Sequence, residues 1–141
     1  MPEQVYKFLK SNTVGIIGVP FSGGQVRRVA RYEEGVEEGP VRLVEAGLID
    51  QLKSMDWAVD FEDLRVNVSS RPPHDPDSGK LKRPRYVSAV TKAVAEQVKA
   101  QASRGNMVLT LGGDHSIAIG TVAGIFTTYP EACLIWIDAH A

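Results

Sequence analysis

The sequence predicts an α/β fold of three layers, a mostly parallel sheet covered by helices on both faces. Three observations carry this expectation. Short β-branched runs alternate with amphipathic helical patterns along the chain. The strand-like runs are apolar on both faces, as buried parallel strands are. Repeated β-α-β units close most readily into such a sheet.

The first strand is Thr13 to Val19, ended by Pro20, and a glycine-studded loop follows it. A helix is expected from Pro40 through Met55: Pro40 suits a first-turn position, and Val41, Leu43, Val44, Leu48 and Leu52 form the apolar stripe. Trp57 to Phe61 reads as a second, weaker strand. Asn67 to Arg83 is rich in Pro, Ser, Asp and Gly and reads as loop. The clearest helix runs from Tyr86 to Ser103, with Val87, Val90, Val94 and Val98 on one stripe and Lys92, Glu96 and Lys99 outside it. Met107 to Leu111 is a third strand running into Gly112-Gly113-Asp114-His115-Ser116. A short helix is expected from about Ile117 to Phe126, and a fourth strand from Leu134 to Asp138.

The chain has 141 residues, enough for one domain, and neither repeats nor low-complexity tracts. With a net charge of -1, nothing argues for nucleic acid or an anionic membrane. The basic cluster Lys80 to Arg85 is short and reads as a solvated loop before a helix. One cysteine, Cys133, fits a reducing compartment and reads as a buried small hydrophobe within Ala132 to Ile137. The N-terminus lacks the apolar stretch of a signal peptide, and no run reaches membrane-spanning length. A cytoplasmic protein is expected.

In open parallel sheets, ligands bind beyond the carboxyl ends of the strands. The third strand ends in Gly112-Gly113-Asp114-His115-Ser116 and the fourth in Asp138-Ala139-His140-Ala141. Each places an imidazole and a carboxylate at the mouth of the sheet. Asp138 and His140, two apart, project to the same side of an extended backbone. Imidazole and carboxylate donors without thiolate favour a hard divalent ion such as manganese. On the residues alone a plainer reading stands beside this one: Asp114 or Ser116 as a helix N-cap, and His115 as a hydrogen-bonded core histidine.

These two segments resemble the first two metal motifs of the ureohydrolase (arginase/agmatinase) superfamily. Val14 to Gln25, Gly35-Val36-Glu37-Glu38-Gly39-Pro40 and Ala46-Gly47-Leu48 resemble arginases rather than agmatinases. The resemblance implies His115 as ligand to one manganese, Asp138 as a bridge between two ions, and His140 as ligand to the other. It implies Asp114 as a residue that steadies the ligand-bearing loop. It further implies hydrolysis of L-arginine to L-ornithine and urea, two manganese ions per subunit, and a homo-oligomer, trimer or hexamer. An agmatinase or other ureohydrolase is the alternative within the class. A non-catalytic truncated product that at most binds full-length subunits is the alternative outside it.

Two departures accompany the resemblance. Val26 to Glu34 intervenes where the family has only a few residues, either as a loop insertion or as a fault in the assembled coding sequence. The sequence stops at Ala141, where the second motif continues with another aspartate, so residues 1–141 read as the N-terminal part of an arginase-like domain. The remaining metal ligands and substrate contacts of the family would lie downstream, and the polypeptide as given is expected to be inactive. The family order also separates the third and fourth strands by two others, which would leave Leu134 to Asp138 without sheet neighbours.

Overall fold

The structure is a computed structural model and describes residues 7–24, 35–64 and 71–139. Val26 to Glu34, Asn67 to Ser70 and His140 therefore lie outside the described residues. The elements are β1 (Thr13–Val19), a 3-10 turn (Val36–Glu38), α1 (Gly39–Glu45), α2 (Leu48–Ser54), β2 (Ala58–Asp63), α3 (Pro84–Ser103), β3 (Met107–Gly112), a second 3-10 turn (His115–Ile117) and α4 (Ala118–Thr128).

The three strands form a parallel sheet of order β2-β1-β3. Its register sets Ile16 opposite Phe61 on one side and Leu109 on the other. Side chains alternate across β1, so each face has its own core. Ile17 and Val19 pack with Val90, Val94 and Val98 of α3 and with Ile117. Val14 and Ile16 pack with Leu111 and, from α2, with Leu48, Ile49 and Leu52. Helices thus cover both faces, and the expected αβα layering holds over these strands. No helix among the described residues is long and apolar enough to cross a membrane.

Four expectations need correction. The helix from Pro40 to Met55 is two helices, broken at Ala46-Gly47. Gly47 has φ 93, a left-handed conformation that glycine adopts without a Cβ clash, and its N–H closes the end of α1 on Val44 O at 3.0 Å. Val41 and Leu43 of α1, expected on the stripe, are exposed. The short helix begins at Ala118 and runs to Thr128, with a 3-10 turn ahead of it.

Leu134 to Asp138 forms no strand, and Leu134, Ile135, Trp136 and Ile137 are all exposed, Ile137 at 92%. A strand exists only through hydrogen bonds to a neighbour. Here β1 is paired on both edges, and this segment joins neither β2 nor β3. Cys133, expected to be buried, is exposed for the same reason.

Candidate functional site

The parallel arrangement brings the ends of β1, β2 and β3 to one rim. Beyond β1, Phe21 is buried and its ring meets Tyr86 of α3 edge-on, with centroids 5.1 Å apart. That contact, together with Phe21 N donating to Val19 O at 2.8 Å, turns the chain sharply across the rim. Beyond β3, the chain turns at Gly112-Gly113 and Asp114 comes to lie beneath the loop that follows β1.

Asp114 is 5% exposed, and its carboxylate is the knot that ties the two loops. Oδ2 accepts from Gly24 N at 2.7 Å, and Oδ1 accepts from Ser116 N at 2.9 Å and from the Ser116 hydroxyl. Its own N–H donates to Phe21 O at 2.7 Å. Asp114 is thus the N-cap of the turn leading into α4, as the plainer reading expected, and also the brace of the loop that carries His115. Both descriptions apply because one carboxylate has enough lone pairs for all three donors.

With the loop held this way, the His115 side chain faces outward, 60% exposed. Its Nδ1 lies 3.8 Å from Asp138 Oδ2, and the Asp138 side chain is only 19% exposed. Trp136 completes the arrangement. Its ring stacks on the imidazole with centroids 5.3 Å apart and planes 18° from parallel, and its Nε1–H donates to Asp138 Oδ2 at 3.3 Å. The histidine is therefore not a core residue; it is an accessible donor oriented by an indole and set beside a carboxylate.

The structure thus brings together His115 and Asp138, with Asp114 directly behind them. His140 lies outside the described residues, and among those described no group of three His, Cys, Asp or Glu gathers around one point. The two donors present suit a hard dication. Donor atoms on one ion with bonds of about 2.1 Å stand roughly 3–4 Å apart, and the pair here is at 3.8 Å. Trp136 was missed in the sequence, where it read as one apolar residue of a strand. Its position two residues before Asp138, on the same side of an extended backbone, was the available signal.

A sequence model described as the Arginase family matches residues 12–141. Among curated relatives, the chain is 54% identical over 132 residues to an arginase of Glaciozyma antarctica, covering 92% of this chain and 36% of the relative. The crystal structure of a cold-adapted arginase from the same yeast superposes with a TM-score of 0.68 at 43% identity, over 96% of this chain and 40% of that one. The Entamoeba histolytica arginase, solved in complex with L-ornithine, superposes with a TM-score of 0.65 at 27% identity, over 89% of this chain and 39% of that one. The chain thus spans about two fifths of the length of the proteins it matches. A match running through both metal-type motifs and the whole described sheet leaves one assignment: the chain belongs to the arginase family.

Proposed function

We propose that this chain is the N-terminal part of an arginase-like domain and supplies part of a dimanganese site that hydrolyses L-arginine to L-ornithine and urea at family length. The observation that carries this reading is the approach of His115 to Asp138. The loop after β3 and the irregular segment Leu134 to Asp138, which resemble metal motifs, meet at the rim where parallel sheets bind ligands. The L-ornithine held by the Entamoeba histolytica arginase supports the choice of substrate.

In this reading His115, Asp138 and His140 would hold manganese. Bound manganese supplies Lewis-acid activation of water toward the guanidinium carbon. The chain's own contribution is placement. Asp114 fixes the loop, and Trp136 holds the imidazole face and donates to Asp138. The single cysteine supports a reducing, cytoplasmic setting. Arginases resemble one another in forming trimers or hexamers, and a homo-oligomer is proposed for the family-length protein.

Urea release from L-arginine and from agmatine, assayed side by side on a family-length protein carrying this segment, tests the reading. Faster release from L-arginine is expected. Faster release from agmatine would make it an agmatinase, and release from neither would favour the non-catalytic alternative.

A further inference from the structure

The stretch ahead of α3, which reads in sequence as loop and solvated basic cluster, folds around a cavity of about 360 Å³. Arg71, Arg83 and Tyr86 line it, with Pro72 and Pro73 as an apolar part of the wall and Asp75 and Asp77 beside them. The volume is of small-molecule size, since ligand pockets run from roughly 300 to 1,000 Å³. None of Asp114, His115 and Asp138 belongs to its lining.

The four charged residues of this lining are not equivalent. Asp75 is engaged with the start of α3: Oδ1 accepts from Arg85 N at 3.1 Å and Oδ2 from Tyr86 N at 2.8 Å. Asp77 accepts from Arg83 N at 3.2 Å and from Lys82 Nζ at 2.6 Å. Both carboxylates therefore already hold donors of their own. Neither the Arg71 nor the Arg83 guanidinium has an ion-pair partner among the described residues. The Arg83 backbone, tied to Asp77, sits at φ 43, ψ 56, a conformation unfavourable to a residue with a Cβ. Burial raises the pKa of the Tyr86 phenol, against the opposing Arg71 charge, so its hydroxyl stays a donor at neutral pH. Two guanidinium forks and one phenolic hydroxyl thus share a cavity whose acceptors are already taken.

We infer that this cavity binds a small phosphate monoester, gripped by Arg71 and Arg83 and met by the Tyr86 hydroxyl. Charge selects the class: a phosphate monoester carries about −1.5 to −2 at neutral pH and so matches two cations, whereas a monocarboxylate matches one. Geometry agrees, because guanidinium forks pair with phosphate oxygens two bonds at a time. Volume and the two prolines favour an ester over inorganic phosphate, since they give room and an apolar wall to an organic body. The first free N–H groups of α3 belong to Asp75, so side chains, not a helix terminus, form the site. This assignment goes beyond the catalytic reading and does not rest on it.

Calorimetric titration of a family-length protein carrying this segment tests the proposal, with AMP, glycerol phosphate, inorganic phosphate and acetate as probes. Expected is saturable one-to-one binding of AMP or glycerol phosphate, the tighter of the two naming the organic body. Inorganic phosphate should bind more weakly than that ester, and acetate more weakly still. Arg71→Gln and Arg83→Gln should each weaken ester binding about tenfold or more, the loss of a charge-assisted hydrogen bond. Arg71 is exposed, so its variant leaves the core intact even where Arg83→Gln disturbs the turn. Lys80→Gln, a cation outside the lining, and His115→Ala, at the candidate metal site, should leave ester binding unchanged. No binding of either ester, esters no tighter than inorganic phosphate, or full binding in Arg71→Gln would each overturn the proposal. So would loss of binding in His115→Ala, which would place the ester on manganese.

Discussion

The imidazole of His115 and the carboxylate of Asp138 lie 3.8 Å apart, Nδ1 to Oδ2, although a whole helix separates them in the chain. Trp136 touches both, stacking on one and donating to the other. A histidine held open beside a carboxylate by an indole is a donor pair, and its behaviour toward metal can be measured directly.

In a family-length protein carrying this segment, His115→Ala should lower bound manganese from two ions toward one. Elemental analysis after exhaustive dialysis reads this without any activity assay. Unchanged stoichiometry would remove His115 from the ligand set.

Asp114→Ala strands three buried or half-buried donors, Gly24 N, Ser116 N and the Ser116 hydroxyl. A loss of about 2–3 kcal/mol is expected from urea unfolding, because unpaired buried donors forfeit their solvation. Asp114→Asn, which keeps an acceptor oxygen, should lose less. Equal losses in both would mean that the charge, not the acceptor geometry, holds the loops.

Helix α4 lies against α3 through Gly120 and Gly124. A methyl at Gly124 would fall 2.6 Å from Ala95 O and 2.7 Å from Val98 Cβ, so the helices would have to separate. Gly124→Ala should destabilise, since overpacking costs about 1–3 kcal/mol and the gain in helix propensity is only about 1 kcal/mol. Ile119→Ala, at a site 61% exposed, should change stability by less than about 0.5 kcal/mol. Thermal unfolding of the two variants gives the comparison, and a more stable Gly124→Ala would refute the close packing.

Burial raises the Tyr86 phenol above its ordinary 10.0, with the Arg71 charge opposing. The neutral phenol is the form the fold favours. Its contribution is therefore fully present below the unfolded pKa and is lost as pH rises through the raised folded value. Stability should fall more steeply above about pH 10 in the native chain than in Tyr86→Phe. Identical alkaline profiles would show that this ring is not protected.

The 141-residue chain alone should form no urea from L-arginine, even in excess manganese. It offers His115, Asp138 and His140 as ligands, fewer than two ions with about six donors each require. It has no identified group to orient the guanidinium, a contribution often worth about 7–11 kcal/mol of barrier. Urea above that from a His140→Ala control would contradict this.

The sequence by itself determined the periodic elements and the chemistry of the rim. Val90, Val94 and Val98 announced α3 because a helix shows one stripe to its core, and they are buried as expected. β1 and β3 were legible because unbroken apolar runs suit only buried strands. Asp114 and His115 were legible as residue types just past β3, whereas Asp138 read as the end of a strand that does not form. What only the tertiary structure decided depends on partners distant in sequence. Leu134 to Asp138 has the composition of a strand, yet strand formation needs a neighbouring edge, which composition cannot supply. The break at Gly47 was hidden because the apolar stripe continues across it, although its backbone does not. The double role of Asp114 arises where the loops after β1 and β3 meet, a meeting fixed by the sheet, and the stacking of Trp136 on His115 arises where the irregular segment after α4 returns to that rim.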